Sequence, residues 1–140
     1  MSKIIKSFFK YSLLLSYGGM AYMIIELLFR GRTHYTMSFC GGICFVCIGL
    51  LNELRKKLSL VQQCIISGLF IVTPIEYLFG ILFNSTYEIW DYRNLPLNIN
   101  GHICIPFSVL WCFVSLIAIL ADDYLRYYIF NEERPSYKLF

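Results

Sequence analysis

Glu76 is the residue with the most chemistry to offer. It stands two positions after Pro74, in a stretch (58–83) that holds no other Asp, Glu, Lys or Arg. Proline cannot continue the helical ladder, so Pro74 frees the carbonyl of Phe70 and predicts a kink beside the carboxyl group. An acid in such a setting suits a proton or substrate site; it equally suits a packing role, bonded to a neighbouring helix. Glu26 and Arg30 lie one helical turn apart, at the head of a four-residue stripe that also holds Gly18 and Tyr22. Glu26 competes with Glu76 for one cation, since Arg30 is the candidate partner of both acids. Asp91, paired with His102 or His34, completes the polar set. Glu26, Arg30, His34, Glu76, Trp90, Asp91, Tyr92 and His102 thus form a candidate substrate-binding group for a polar or zwitterionic headgroup. In it the Trp90-Asp91-Tyr92 segment serves as a flap over the pocket. The plainer reading of the same residues is a solvated rim of ion pairs, to which Arg93 also belongs.

A second mixed-charge group gathers Asn52, Glu53, Arg55, Lys56, Lys57, Asp122, Asp123 and Arg126. It reads either as a docking platform for a soluble partner or as a solvated helix end. The DDYLRYY segment is expected to carry the last helix onward as far as Pro135.

Other chemistries find little support. Cys40, Cys44 and Cys47 share a helical face, but a metal site needs loops and a further His or Cys pair, so all six cysteines read as packing residues and no metal is expected. The chain carries no phosphate-binding loop, dinucleotide fingerprint, H-E-x-x-H or G-x-S-x-G. No catalytic residue or cofactor is therefore assigned, and an ATP-driven step would need a separate ATPase subunit.

These side chains must be positioned by membrane-embedded helices. Of the 140 residues, 58% are hydrophobic and only 15% charged, against about 25% charged in soluble domains. That balance excludes a disordered chain and a nucleic-acid binder. Four stretches, 11–29, 35–52, 58–83 and 103–121, are long enough to cross about 30 Å of hydrocarbon. Backbone groups in lipid must bond within their own segment, so each is a helix. The expected fold is an all-α integral membrane protein: one transmembrane domain over 1–140, four spans, a long outer interfacial loop between the third and fourth, and a cytoplasmic tail over 122–140. Small residues thin the helices, with Gly41, Gly42 and Gly49 on the second and Ser108, Cys112, Ser115 and Ala118 on the fourth. They predict close packing and a homo-oligomer, most simply a dimer.

Basic residues orient the spans. Lys3, Lys6, Lys10, Arg55, Lys56, Lys57, Arg126, Arg134 and Lys138 fall on one side, and Arg30, Arg32 and Arg93 on the other. Nine against three predicts a cell-membrane protein with both termini cytoplasmic. The first span has the look of a signal peptide, but its apolar run continues to Phe29, which predicts an uncleaved anchor. In the loop 84–101, Tyr87, Trp90 and Tyr92 suit the headgroup region. Asn84-Ser85-Thr86 matches a glycosylation acceptor, read as coincidence at the end of a span.

Trp90-Asp91-Tyr92, Asn94-Leu95-Pro96, Gly101, Cys104 and Pro106-Phe107-Ser108, with the flanking YGGMAYMIIELLFRGRTHYTM and DDYLRYYIFNEERPSYKLF, resemble the CmpB-like permeases, the type IV ABC-transporter family of small bacterial membrane proteins. The likeness runs from about Tyr17 to the C-terminus. It implies a multi-pass fold and a permease role without a defined substrate or catalytic residues. The alternatives are a membrane enzyme or binding protein acting on lipid headgroups, and a structural membrane partner.

Overall fold

The computed structural model describes residues 2–55 and 57–140, so Met1 and Lys56 lie outside the described residues. Four long apolar helices alternate in direction: α1 (Lys3–Arg30), α2 (Tyr35–Leu54), α3 (Leu60–Phe83) and α4 (Ile105–Phe130). Each is long and apolar enough to cross a membrane. The chain is a multi-pass helical membrane protein. At 1.5 Å per residue the 28 residues of α1 extend about 42 Å, well beyond the hydrocarbon thickness. Its first two turns therefore continue outside the 11–29 stretch.

Caps fix where the helices begin and end. Ser2 caps α1, and Gly31, in the left-handed conformation at φ 70°, closes it. Ser59 and Gln62 form a reciprocal capping box at the start of α3. Asn131 takes the left-handed conformation after Phe130, so α4 stops short of Pro135, earlier than expected. The kink expected at Pro74 is absorbed upstream instead, as a π-helical stretch over Ser67–Val72. There the backbone N–H of Thr73 reaches the carbonyl of Gly68, whose oxygen also accepts the Thr73 hydroxyl at 2.7 Å. Widening the turn in this way relieves the missing proline N–H without breaking α3.

Small residues bring the helices together inside the chain. A Cβ on Gly41 would meet Tyr22, and one on Gly42 would meet the backbone oxygen of Leu15, each at 2.5 Å. Gly18 faces Phe45 in the same seam. Ser108 lies 2.9 Å from the Thr73 hydroxyl, and Gly68 lies against the backbone of Cys112. The stripes that predicted a dimer seam thus pack α1 on α2 and α3 on α4.

Between α3 and α4 the chain folds back over one end of the bundle, here called the loop end. A two-residue antiparallel ladder, β1 (Asn98–Ile99) with β2 (Ile103–Cys104), closes this loop around Gly101. Met37, Ile89, Trp90, Tyr92 and Cys104 form a buried cluster beneath it, with Tyr22, Phe79, Leu95 and Phe107 packed alongside. Trp90 and Tyr92 therefore face the protein interior rather than lipid headgroups. The opposite end is called the tail end.

Candidate functional site

Glu76 lies in α3 about two turns below the loop end and is only 3% exposed. Its Oε1 accepts the hydroxyl of Tyr92 and its Oε2 accepts the indole N–H of Trp111, both at 2.8 Å. Three elements supply this triad. α3 gives the acid just past the π stretch, the loop gives the phenol, and α4 gives the indole at matching depth. Tyr92 is oriented by stacking on Phe107, with ring centroids 4.6 Å apart, and the Tyr22 ring lies 5.9 Å from Trp111. Both donors are neutral, and among the described residues no cation pairs with Glu76. A cavity of about 140 Å³ adjoins it, bounded by Gly18 and Tyr22 of α1, Cys44 and Phe45 of α2, and Trp111 and Ser115 of α4.

The expected partner, Arg30, is engaged elsewhere. Its Nε donates to Glu26 at 2.7 Å, one turn back along α1, and its Nη1 donates to the carbonyl of Ile89 at 3.0 Å. Arg30 thus ties the end of α1 to the loop, and Glu26 holds it in place.

The loop itself is built around Asn84, which is fully buried. Its Oδ1 accepts the amides of Ile89 (2.9 Å) and Trp90 (3.3 Å), while its Nδ2 donates to the Trp90 carbonyl at 2.6 Å. A side chain so engaged is not presented as a glycosylation acceptor. Trp90 donates its indole N–H to the carbonyl of His102 at 2.9 Å. The His102 ring stacks on Tyr87 at 5.0 Å and rests over Gly80, where a Cβ would meet it at 2.5 Å. Burial pushes the His102 imidazole below its ordinary value.

Asp91 and His34 stand apart from the triad. Asp91 pairs with Arg93, at 2.7 and 2.9 Å, rather than with either histidine. That guanidinium and the Arg93 amide hold its carboxyl down at about 2, but the pair is at the surface, where such bridges contribute little. His34 is the N-cap of α2, with Nδ1 accepting the amide of Thr36 at 3.3 Å. Of the eight expected residues, Glu76 and Tyr92 touch directly, Trp90 and His102 shape the loop above them, and Glu26 with Arg30 fastens that loop.

Trp111 and Asn84 are the residues that sequence reasoning missed. A signal existed for the first. An indole N–H placed some six residues into a span needs an acceptor where water is absent, and Glu76 lies at equal depth.

The family model described as "Putative ABC-transporter type IV" matches residues 3–134. The chain belongs to this family. The match takes in all four helices, the loop and the Glu76 triad, and it starts earlier than the Tyr17 boundary read from the motifs. No curated protein and no solved structure matches the chain.

At the tail end of this type IV family member, the second polar group turns inward. Asp122, Asp123 and Arg126 are buried, Glu53 is half-buried and Arg55 is exposed. Arg126 Nε donates to Asp122 at 2.8 Å, and Asp123 accepts from both Asn52 and the Tyr137 hydroxyl. Gly49 makes room for Asp122, since a Cβ there would meet its carboxylate at 2.5 Å.

Proposed function

We propose that the chain is a permease-like subunit of an ABC transporter in the cell membrane, with both termini cytoplasmic and the 84–101 loop outside. One observation carries this reading: Glu76, an acid at membrane depth, is held by neutral donors and borders a cavity where α1 and α4 barely meet. An acid without a cation is free to receive a proton or the cationic group of a substrate, and ionisable groups inside spans are functional candidates for that reason. In this reading Trp90, Tyr92 and His102 form the outer wall of the site, Glu26 and Arg30 latch it, and Asp91 and His34 flank its mouth. A separate ATPase subunit supplies energy, docking near Asn52, Glu53 and Arg55 where the helices end around Asp122, Asp123 and Arg126. Four helices scarcely enclose a pathway, so the transporter is a homo-oligomer of this chain.

The test is purification of the tagged chain with its ATPase. ATP hydrolysis should rise in the complex, and Glu76→Gln should keep the assembly while uncoupling it. Reporter fusions at Phe140 and in the 84–101 loop check the orientation; an external C-terminus overturns it. The second reading is a membrane enzyme or binding protein for lipid headgroups, favoured by the apolar lining of the Glu76 cavity. It predicts activity of the isolated chain in detergent, with no ATPase needed.

A further inference from the structure

Away from Glu76, the tail end of the bundle holds a polar cleft of about 940 Å³, partly open to solvent. The end of α2, the first turn of α3 and the last turns of α4 form its walls, and residues 131–138 of the tail line its remaining side. The tail is seated by contacts to three helices. Lys10 of α1 pairs with Glu132, and the Tyr137 hydroxyl donates to Asp123 of α4 at 2.8 Å. The amides of Leu60 and Val61 in α3 donate to the carbonyls of Lys138 (2.7 Å) and Leu139 (3.3 Å). These last bonds satisfy amides that the start of a helix otherwise leaves free.

Two side chains in the cavity wall are buried yet incompletely bonded. Arg126 is 2% exposed and its Nη2 has no partner, although Nε is taken by Asp122. Gln63 is 5% exposed; its Nε2 donates to the carbonyl of Leu58 at 3.2 Å, which fixes the amide orientation and leaves Oε1 without a donor. Buried polar groups are nearly always met by protein, water or ligand. Here one group calls for an anionic oxygen and the other for an N–H. The ionised side chains lining the cavity balance, four basic against four acidic among the described residues, so neither a bare anion nor a bare cation is favoured.

We propose that this cavity binds a small zwitterion, its anionic oxygens taken by Arg126 and its ammonium by the carbonyl oxygen of Gln63, with the tail along its remaining side. The site is separate from the Glu76 triad and does not depend on the transporter reading. A phosphate joined to a primary amine has this chemistry, whether as a soluble molecule or as a lipid headgroup.

Glycerophosphoethanolamine is the soluble probe, titrated into the full chain in detergent by calorimetry. Binding should saturate, and glycerol phosphate or ethanolamine alone should bind at least about tenfold more weakly. In the lipid arm, nanodiscs with equal phosphatidylethanolamine and phosphatidylcholine are examined by native mass spectrometry. The first lipid should be retained preferentially, because choline has no N–H for Gln63. Binding of the soluble probe identifies a free zwitterion as the ligand, and selective lipid retention alone identifies the headgroup. Gln63→Leu should weaken whichever binds by about tenfold. This variant leaves the Arg126–Asp122 pair intact, so it reads binding where Arg126→Gln would risk the fold. Failure of both probes, equal binding by the half-ligands, or indifference to Gln63→Leu overturns the proposal and leaves a cavity that holds water only. ATPase coupling is not read in either arm, so its loss or survival bears on Glu76 alone.

Discussion

The hydroxyl of Tyr92 and the carboxylate of Glu76, sixteen residues apart in sequence, meet at 2.8 Å and join the loop to the third helix. With the Trp111 indole on the other oxygen, the acid holds two buried donors, one on each oxygen. Glu76→Gln preserves this arrangement, because an amide oxygen accepts from Trp111 while the amide N–H donates to the phenol. Its thermal unfolding in detergent should stay near that of the parent protein, while under the proposed permease role the ATPase coupling should be lost. Glu76→Leu leaves both donors orphaned and should cost about 2–6 kcal/mol, at about 1–3 for each. A Gln variant that unfolds as readily as the Leu variant would make Glu76 a packing residue.

Asn84 is the hub of the loop, with three bonds to backbone groups of Ile89 and Trp90. Asn84→Ala strands buried amides and a carbonyl and should destabilise by about 3 kcal/mol. Thr86→Ala, which abolishes the Asn-x-Thr acceptor motif but none of these bonds, should be close to neutral. Comparative unfolding of the two separates a structural asparagine from a glycan acceptor.

Much of this architecture is legible in the sequence, and what is not has identifiable causes. Hydropathy and the cost of unpaired backbone in lipid locate four helices, and the loop between the third and fourth stands out by its Pro, Gly and Asn content. Partner choice is harder to read. Arg30 looks like the natural mate for Glu76, yet Glu26 one turn away and the Ile89 carbonyl claim it first. Trp90 and Tyr92 look interfacial by type, but the Asn84 turn points them inward, and no periodicity reveals that. Gln63 gives no sequence signal, and Arg126, legible as a member of a charged docking group, gives no sign of being buried, because the last helix and the tail set that burial.

Gly68 sits in the π stretch with no room for a side chain. A Cβ there would lie 2.5 Å from both the backbone nitrogen and the sulfur of Cys112. The backbone cannot rotate away as a flexible side chain would, so Gly68→Ala must push α4 from α3. The expected cost is about 1–3 kcal/mol. Cys112→Ala should not rescue it, since the backbone nitrogen remains; rescue would show that the sulfur alone sets the limit.

The tail contact is pH-sensitive in a defined direction. Burial of the Tyr137 hydroxyl, its hydrogen bond to Asp123 and the charge of that carboxylate all raise the phenol above its ordinary value. A neutral phenol donates to the carboxylate, whereas a phenolate repels it. Because the folded value lies above the unfolded one, the contribution is complete below about pH 10 and is lost as pH rises through the folded value. Raising the pH past about 10 should therefore loosen residues 131–140 before the helices unfold. Limited proteolysis or hydrogen exchange of the Leu60 and Val61 amides, which the tail carbonyls hold, would follow it. Tyr137→Phe lacks the titrating group and the bond, so its tail should exchange faster at neutral pH and show no further step in alkali. A step of the same size in the Phe variant would assign the transition to another group.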